Sequence, residues 1–217
     1  MNKKCTVITR TQHDAINRYF FKWTQEVVDF GKNRGLNIID IPKERVKRKI
    51  VENVINKKKP KFVFFNGHGK SEIIGGHDED KIIVMGDNDN LLESKIVYSR
   101  TCFSAKGIGK KFENSKNGAF IGYNHKYTVP VDELFIARPL NDESAKPFWK
   151  TSNIIPISIL KGNTVKEALE KSENLYKKYI DFYESTGSPG HMEIAFYLKW
   201  NLAIQKCYGN VNESIQN

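Results

Sequence analysis

The sequence predicts an α/β protein with a mostly parallel central sheet flanked by helices, and three observations carry that prediction. The segments Phe62-Val-Phe-Phe65 and Ile96-Val-Tyr98 are apolar throughout rather than alternating, as strands covered on both faces are. Strand-like runs alternate with helix-periodic ones through the first third of the chain, which suits parallel strands joined by right-handed crossovers. Each apolar segment then leads into a polar turn, and open α/β sheets collect their reactive groups at such carboxyl ends.

Taken in order, Cys5 to Thr9 is a short β-prone run and reads as the first strand. Ile16, Tyr19, Phe20, Trp23, Val27 and Phe30 then recur at helical spacing, with Thr11 and Asp14 as a capping pair and Gly31 or Gly35 to close the helix. Leu36 to Ile41 is a second strand, stopped by Pro42. Val46, Ile50 and Val54 mark a second helix that ends near Lys57 to Lys59, where positive charge suits the helix dipole. Phe62 to Asn66 is the third strand. Beyond it, Gly75-Gly76 and the Asn-rich Gly86 to Asn90 flank Lys81 to Met85, which predicts a small β hairpin arm projecting past His68.

The fourth strand, Ile96 to Ser99, delivers Cys102, and a short helix is expected from Ser104 to Phe112. Gly118-Ala-Phe-Ile-Gly-Tyr123 reads as a fifth buried strand. Tyr127 to Lys146 carries prolines and acids without periodicity, and a loop of that length is often functional. Phe148 to Leu160 reads as helical, with Pro156 predicting a kink or a late start. Thr164 and Glu167 form a capping box, and Val165, Ala168, Leu169, Ser172, Leu175, Tyr176, Tyr179, Ile180 and Tyr183 trace one helical face. A last helix is expected from His191 to about Lys206, followed by a polar, frayed tail from Gly209 to Asn217. With no repeat and no linker-like stretch, residues 1–217 are read as one domain.

Apolar residues at 39% and charged residues at 28% are globular proportions and argue against wholesale disorder. The net charge of +10 is spread along the chain, with clusters at Lys43 to Lys49 and Lys57 to Lys61. No aromatic residues interleave with these lysines, so solvated surface is expected and nucleic-acid binding is not. Cys5, Cys102 and Cys207 are too few and too scattered for a disulfide framework or a zinc knuckle. The basic start lacks the apolar stretch of a signal peptide, and no run approaches a membrane span. A cytoplasmic protein without cofactor is the expectation. His77 with Asp78 and Asp80 lacks recurrent ligand spacing, so no metal is expected either. His13, His77, His125 and His191 are read as surface residues.

The chemistry concentrates on His68 and Cys102. A thiol near pKa 8.5 is mostly protonated at neutral pH, and a neighbouring imidazole raises its thiolate fraction. The N–H of Gly69 is a candidate oxyanion donor, and that of Cys102, at the head of the expected short helix, is a second. Taken alone, a cysteine at a strand end is ordinarily a small buried hydrophobe. The ordered combination of an apolar strand into His68-Gly69, an apolar strand into Cys102-Phe-Ser-Ala105, and then Gly118 to Tyr123 resembles the caspase-like fold of clan CD cysteine peptidases. It is most similar to the CHAT and gingipain-like branch, and the likeness extends through Leu160-Lys-Gly-Asn-Thr-Val-Lys-Glu-Ala168.

The resemblance implies a caspase-like three-layer sandwich and peptide-bond hydrolysis through a thioester, with Cys102 as nucleophile, His68 as base and Gly69 beside it. It also implies that Arg100, two residues before the nucleophile, lines the specificity pocket. A guanidinium there favours an acidic substrate residue; the alternative is that Arg100 points to the opposite face and caps a structural carboxylate. Were Arg or Lys substrates cleaved instead, Asp132 and Glu133 become the pocket candidates. The expected partners are a protein substrate and a regulatory protein acting on the long loop, in a role such as bacterial defence. A catalytically silent caspase-like module binding protein or nucleic acid through its basic surface is the competing reading, and a flavodoxin-like binding protein, lacking a Gly-rich phosphate loop, a weaker one.

Overall fold

A computed structural model describes residues 5–216. Six strands form the main sheet: β1 (Cys5–Arg10), β2 (Asn37–Pro42), β3 (Phe62–Asn66), β7 (Ile96–Arg100), β8 (Ala119–Tyr123) and β9 (Gln205–Gly209). Their order is β2-β1-β3-β7-β8-β9. All neighbours are parallel except β9, which runs antiparallel to β8 with Ile121 opposite Cys207. Three short strands, β4 (Gly69–Lys70), β5 (Ile73–Gly75) and β6 (Lys81–Val84), form a separate antiparallel sheet where the hairpin arm was expected.

The unbroken apolar strands follow from their position. Phe62 and Phe64 face one layer, with Ile8, Val27, Tyr98, Ile155 and Ile159, whereas Val63 and Phe65 face the other, with Val51, Ile55, Ile74 and Ile82. The first layer is built by helices α1 (Ala15–Asn33), α3 (Lys146–Leu160) and α4 (Val165–Thr186), with α5 (Pro189–Ile204) packed on α4. The second is built by α2 (Arg48–Lys58) and the small sheet. Among the described residues, no helix is long and apolar enough to cross a membrane.

Four local expectations are corrected. Helix α1 is capped by Asp14, which accepts from the Asn17 N–H at 2.8 Å, and Thr11 lies before it. The late start expected at Pro156 is not seen: α3 begins at Lys146 and runs through it, because Ile155, Ile159 and Leu160 around it are buried and that packing outweighs the one lost hydrogen bond. The segment after Cys102 is a series of turns leading to a 3-10 helix at Ile108–Phe112, not a helix from Ser104.

The last helix ends at Ile204, near its expected end, and the tail expected to fray from Gly209 is held in place instead. Gln205–Gly209 adds the sixth strand, and Glu213 follows it into the structure, accepting from Lys61 Nζ at 2.6 Å and from the Gly118 N–H at 3.1 Å. The carbonyls of Val211 and Glu213 accept from Lys166 and Val165, in the first turn of α4.

Candidate active site

In the sheet order β1 and β3 are neighbours, while the chain proceeds from β1 outward to β2 and returns. This reversal of winding leaves a crevice at the carboxyl ends of β1 and β3, the place where such sheets bind ligands. The loop after β1 carries His13 and Asp14, and the turn after β3 carries His68. His68 Nε2 lies 2.6 Å from Asp14 Oδ2. Burial raises the Asp14 carboxyl's proton affinity, but the Asn17 N–H, His68 and the Asn17 side chain more than offset this and hold its pKa below the ordinary carboxylate value. Ionised Asp14 therefore accepts the Nε2 proton, which leaves Nδ1 as the basic nitrogen of His68.

Strand β7, paired with β3 so that Asn66 lies opposite Arg100, places Cys102 beside this crevice. His68 and Cys102 line the same cavity of about 340 Å³, together with Gly67, Arg100, Phe20 and Tyr127. A second cleft of about 260 Å³ also borders His68, along Gly69, Lys70, Glu79 and Lys81. Gly69 holds these parts together. A Cβ there would come within 2.7 Å of the Thr101 side chain and 3.1 Å of the Cys102 carbonyl oxygen, so only glycine lets the two strand ends approach.

Cys102 and His68 share the cavity without touching through a hydrogen bond. The Cys102 thiol instead lies 4.0 Å from the Tyr127 carbonyl oxygen, on the long loop after β8. Burial pushes this thiol's pKa up, while backbone hydrogen bonding at Tyr127, the charge of Lys126 and the Cys102 N–H act in the other direction. The sign has a direct consequence for reactivity. Iodoacetamide alkylation of Cys102 is expected to rise about tenfold per pH unit from pH 7, with no plateau at or below about pH 8.5. A plateau near neutrality in a pH series followed by mass spectrometry contradicts a resting thiol of this kind. The expected oxyanion contribution from a helix head at Cys102 is withdrawn, because no helix begins there.

Arg100 is fully buried and faces neither solvent nor a carboxylate. Its Nε and Nη2 both donate to Asn66 Oδ1, at 2.9 and 2.6 Å, and Nη2 also donates to Thr24 Oγ1 at 2.6 Å. Nη1 donates to Ser152 Oγ at 2.7 Å and to Asn153 Oδ1 at 2.8 Å. The rings of Trp149, Phe64 and Phe20 lie within 4.9 to 5.3 Å of the guanidinium carbon. Among the described residues no acid pairs with it, so the structural carboxylate cap is set aside. Burial lowers its pKa, yet a guanidinium remains charged.

Asp132 and Glu133 do not reach the cavity. Both are exposed, and Asp132 caps a short 3-10 turn by accepting from the Leu134 N–H at 2.9 Å. His13 and His77 are not the surface residues expected: their side chains are 11% and 17% exposed, and they meet next to His68. Asp14 was read only as part of a cap. Its pairing with His68 joins loops 54 positions apart, and the sole trace of it in the sequence is an acid just beyond the first strand.

No family model matches this chain, and no curated protein matches it.

Proposed function

We propose that this protein is a caspase-like cysteine endopeptidase with Cys102 as nucleophile, His68 as general base and Asp14 as the residue that orients His68. The observation that carries this reading is the convergence of an Asp14-supported imidazole and a thiol on one cavity, from the ends of adjacent parallel strands. Nucleophile, base and a third group that fixes the base form the arrangement that activates a weak nucleophile. The two clefts that share His68 give a peptide room around the scissile bond.

In the reaction, the Cys102 proton passes to His68 Nδ1 and the sulfur attacks the substrate carbonyl. The tetrahedral intermediate collapses to a thioester as the imidazolium gives its proton to the departing amine. Water, deprotonated by His68, then attacks the thioester, releasing the acid and returning the proton to sulfur. The N–H of Gly69 is the proposed oxyanion donor. Arg100 donates all five N–H groups to Asn66, Thr24, Ser152 and Asn153, so the proposed preference for Asp or Glu before the scissile bond rests on the positive field of this unneutralised buried cation beside the cavity, not on a direct pair.

The resting thiol lies against the Tyr127 carbonyl on the long loop, which must shift for Cys102 to meet His68; a peptide or reagent seated in the cavity drives that shift, and a regulatory protein partner is proposed to promote it. The three free cysteines suit a reducing, cytoplasmic setting. Peptidyl acyloxymethyl ketones ending in Asp or in Lys, with mass-spectrometric mapping, test the reading. Labelling of Cys102 by the Asp reagent, at least about tenfold faster than by the Lys reagent and lost in His68→Ala, is expected. Preference for the Lys reagent removes the acidic specificity. Equal, slow labelling of Cys5, Cys102 and Cys207 regardless of His68 removes the peptidase.

A further inference from the structure

Next to His68, its ring centroid 5.9 Å from that of His13, lies a second group of donors that does not line the Cys102 cavity and that the peptidase chemistry does not use. His13, from the loop after β1, and His77, from the turn between β5 and β6, set their rings 5.1 Å apart at an interplanar angle of 73°. Both ring nitrogens of His13 and Nδ1 of His77 are buried without a hydrogen bond. His13 Nε2 has only carboxylate oxygens near it, Asp14 Oδ2 at 3.6 Å and Glu79 Oε1 at 3.7 Å, while the two Nδ1 atoms have no partner; buried polar atoms are nearly always satisfied, so the group points to a missing ligand. Asp78 supplies an oxygen: its Oδ1 lies 3.6 Å from His77 Nε2, while its Oδ2 is 3.7 Å from Lys47 Nζ. Donor atoms of His13, His77 and Asp78 all lie within 4.8 Å of one another. Two donors on a tetrahedral zinc stand about 3.4 Å apart, a distance that side-chain rotation can reach.

We propose that His13, His77 and Asp78 bind a divalent transition metal of zinc type. Two imidazoles and a carboxylate suit zinc rather than magnesium or calcium, which prefer oxygen, and leave one coordination position open. A rival set shares His13 but takes Asp14 and His68. That set has to break the 2.6 Å hydrogen bond between Asp14 and His68, whereas the orphaned nitrogens of His13 and His77 have no hydrogen bond to lose. The site is independent of whether Cys102 is a working nucleophile.

Cobalt(II), added to the metal-free protein in a buffer that does not chelate, reports the site by its visible absorption, with zinc competition and calorimetry giving affinity and stoichiometry. One equivalent is expected to bind, with affinity falling at least about tenfold in His13→Gln and in His77→Ala. Asp78→Asn, an exposed change with little reach into the core, is expected to weaken binding in the same direction. His191→Ala is expected to leave it unchanged. Absence of a cobalt spectrum in the wild type overturns the proposal. So does binding that survives His77→Ala or Asp78→Asn but disappears in His68→Ala, which assigns the ion to the rival set.

Discussion

Asp14→Asn is expected to lower kcat toward an acidic peptide by about 10³ while leaving KM within a few-fold. Asparagine is as good a helix cap as aspartate, so α1 keeps its start and the fold is preserved. The change falls on His68. An amide cannot stabilise the imidazolium that forms when Cys102 gives up its proton, and it can present N–H to Nε2, turning the ring toward the wrong tautomer. Asp14→Glu keeps the charge and is expected to recover part of the rate. Because Asp14's pKa is depressed, its carboxylate stays charged until the pH falls below the ordinary carboxylate range, so its protonation sets no acid limb above about pH 4. An unchanged kcat in Asp14→Asn, with helix content intact by circular dichroism, contradicts the orienting role.

Arg100→Met carries the second large effect, and it has two parts. Asn66, Thr24, Ser152 and Asn153 each lose a buried donor, and leaving neutral buried acceptors unsatisfied at about 1 kcal/mol or more apiece costs roughly 3–5 kcal/mol together. At roughly 2–4 °C per kcal/mol for a chain of this size, the melting temperature is expected to fall by about 10 °C. Below that melting point, the variant's preference for Asp over Asn before the scissile bond is expected to shrink by at least about tenfold. Arg100→Lys keeps the charge but loses the planar fork, so it is expected to retain the acidic preference at reduced stability. A destabilised Arg100→Met that still discriminates Asp from Asn as the wild type does makes Arg100 a structural residue alone.

The features legible in the sequence were those set by local patterning. Phe62–Phe65 and Ile96–Tyr98 announced themselves because a strand covered on both faces favours apolar residues at successive positions, and α4 because Thr164 and Glu167 cap it reciprocally. The features missed depend on contacts across the chain. Gln205–Gly209 is short, polar and half-buried at an edge, so nothing in its own composition marks it as a strand. His13 and His77 acquire meaning only when the first loop meets the small sheet, 64 positions on in the numbering (77 − 13). Arg100 was legible as a residue of interest through its distance from Cys102. Its burial was not, since it needs Asn66, Thr24, Ser152 and Asn153 from three other elements to be tolerable.

The antiparallel strand β9 also governs how the molecule is made. Its partner β8 ends at Tyr123, and residues 124–204 must be synthesised before Gln205 can pair with it. Until then β8 presents an open, wholly apolar edge, the sort of template that recruits another nascent chain. The lysine and glycine anchored by Glu213 gain that partner later still. Closure of this edge therefore waits on synthesis of the last strand, and the interval in which β8 is open falls while the chain is still being made.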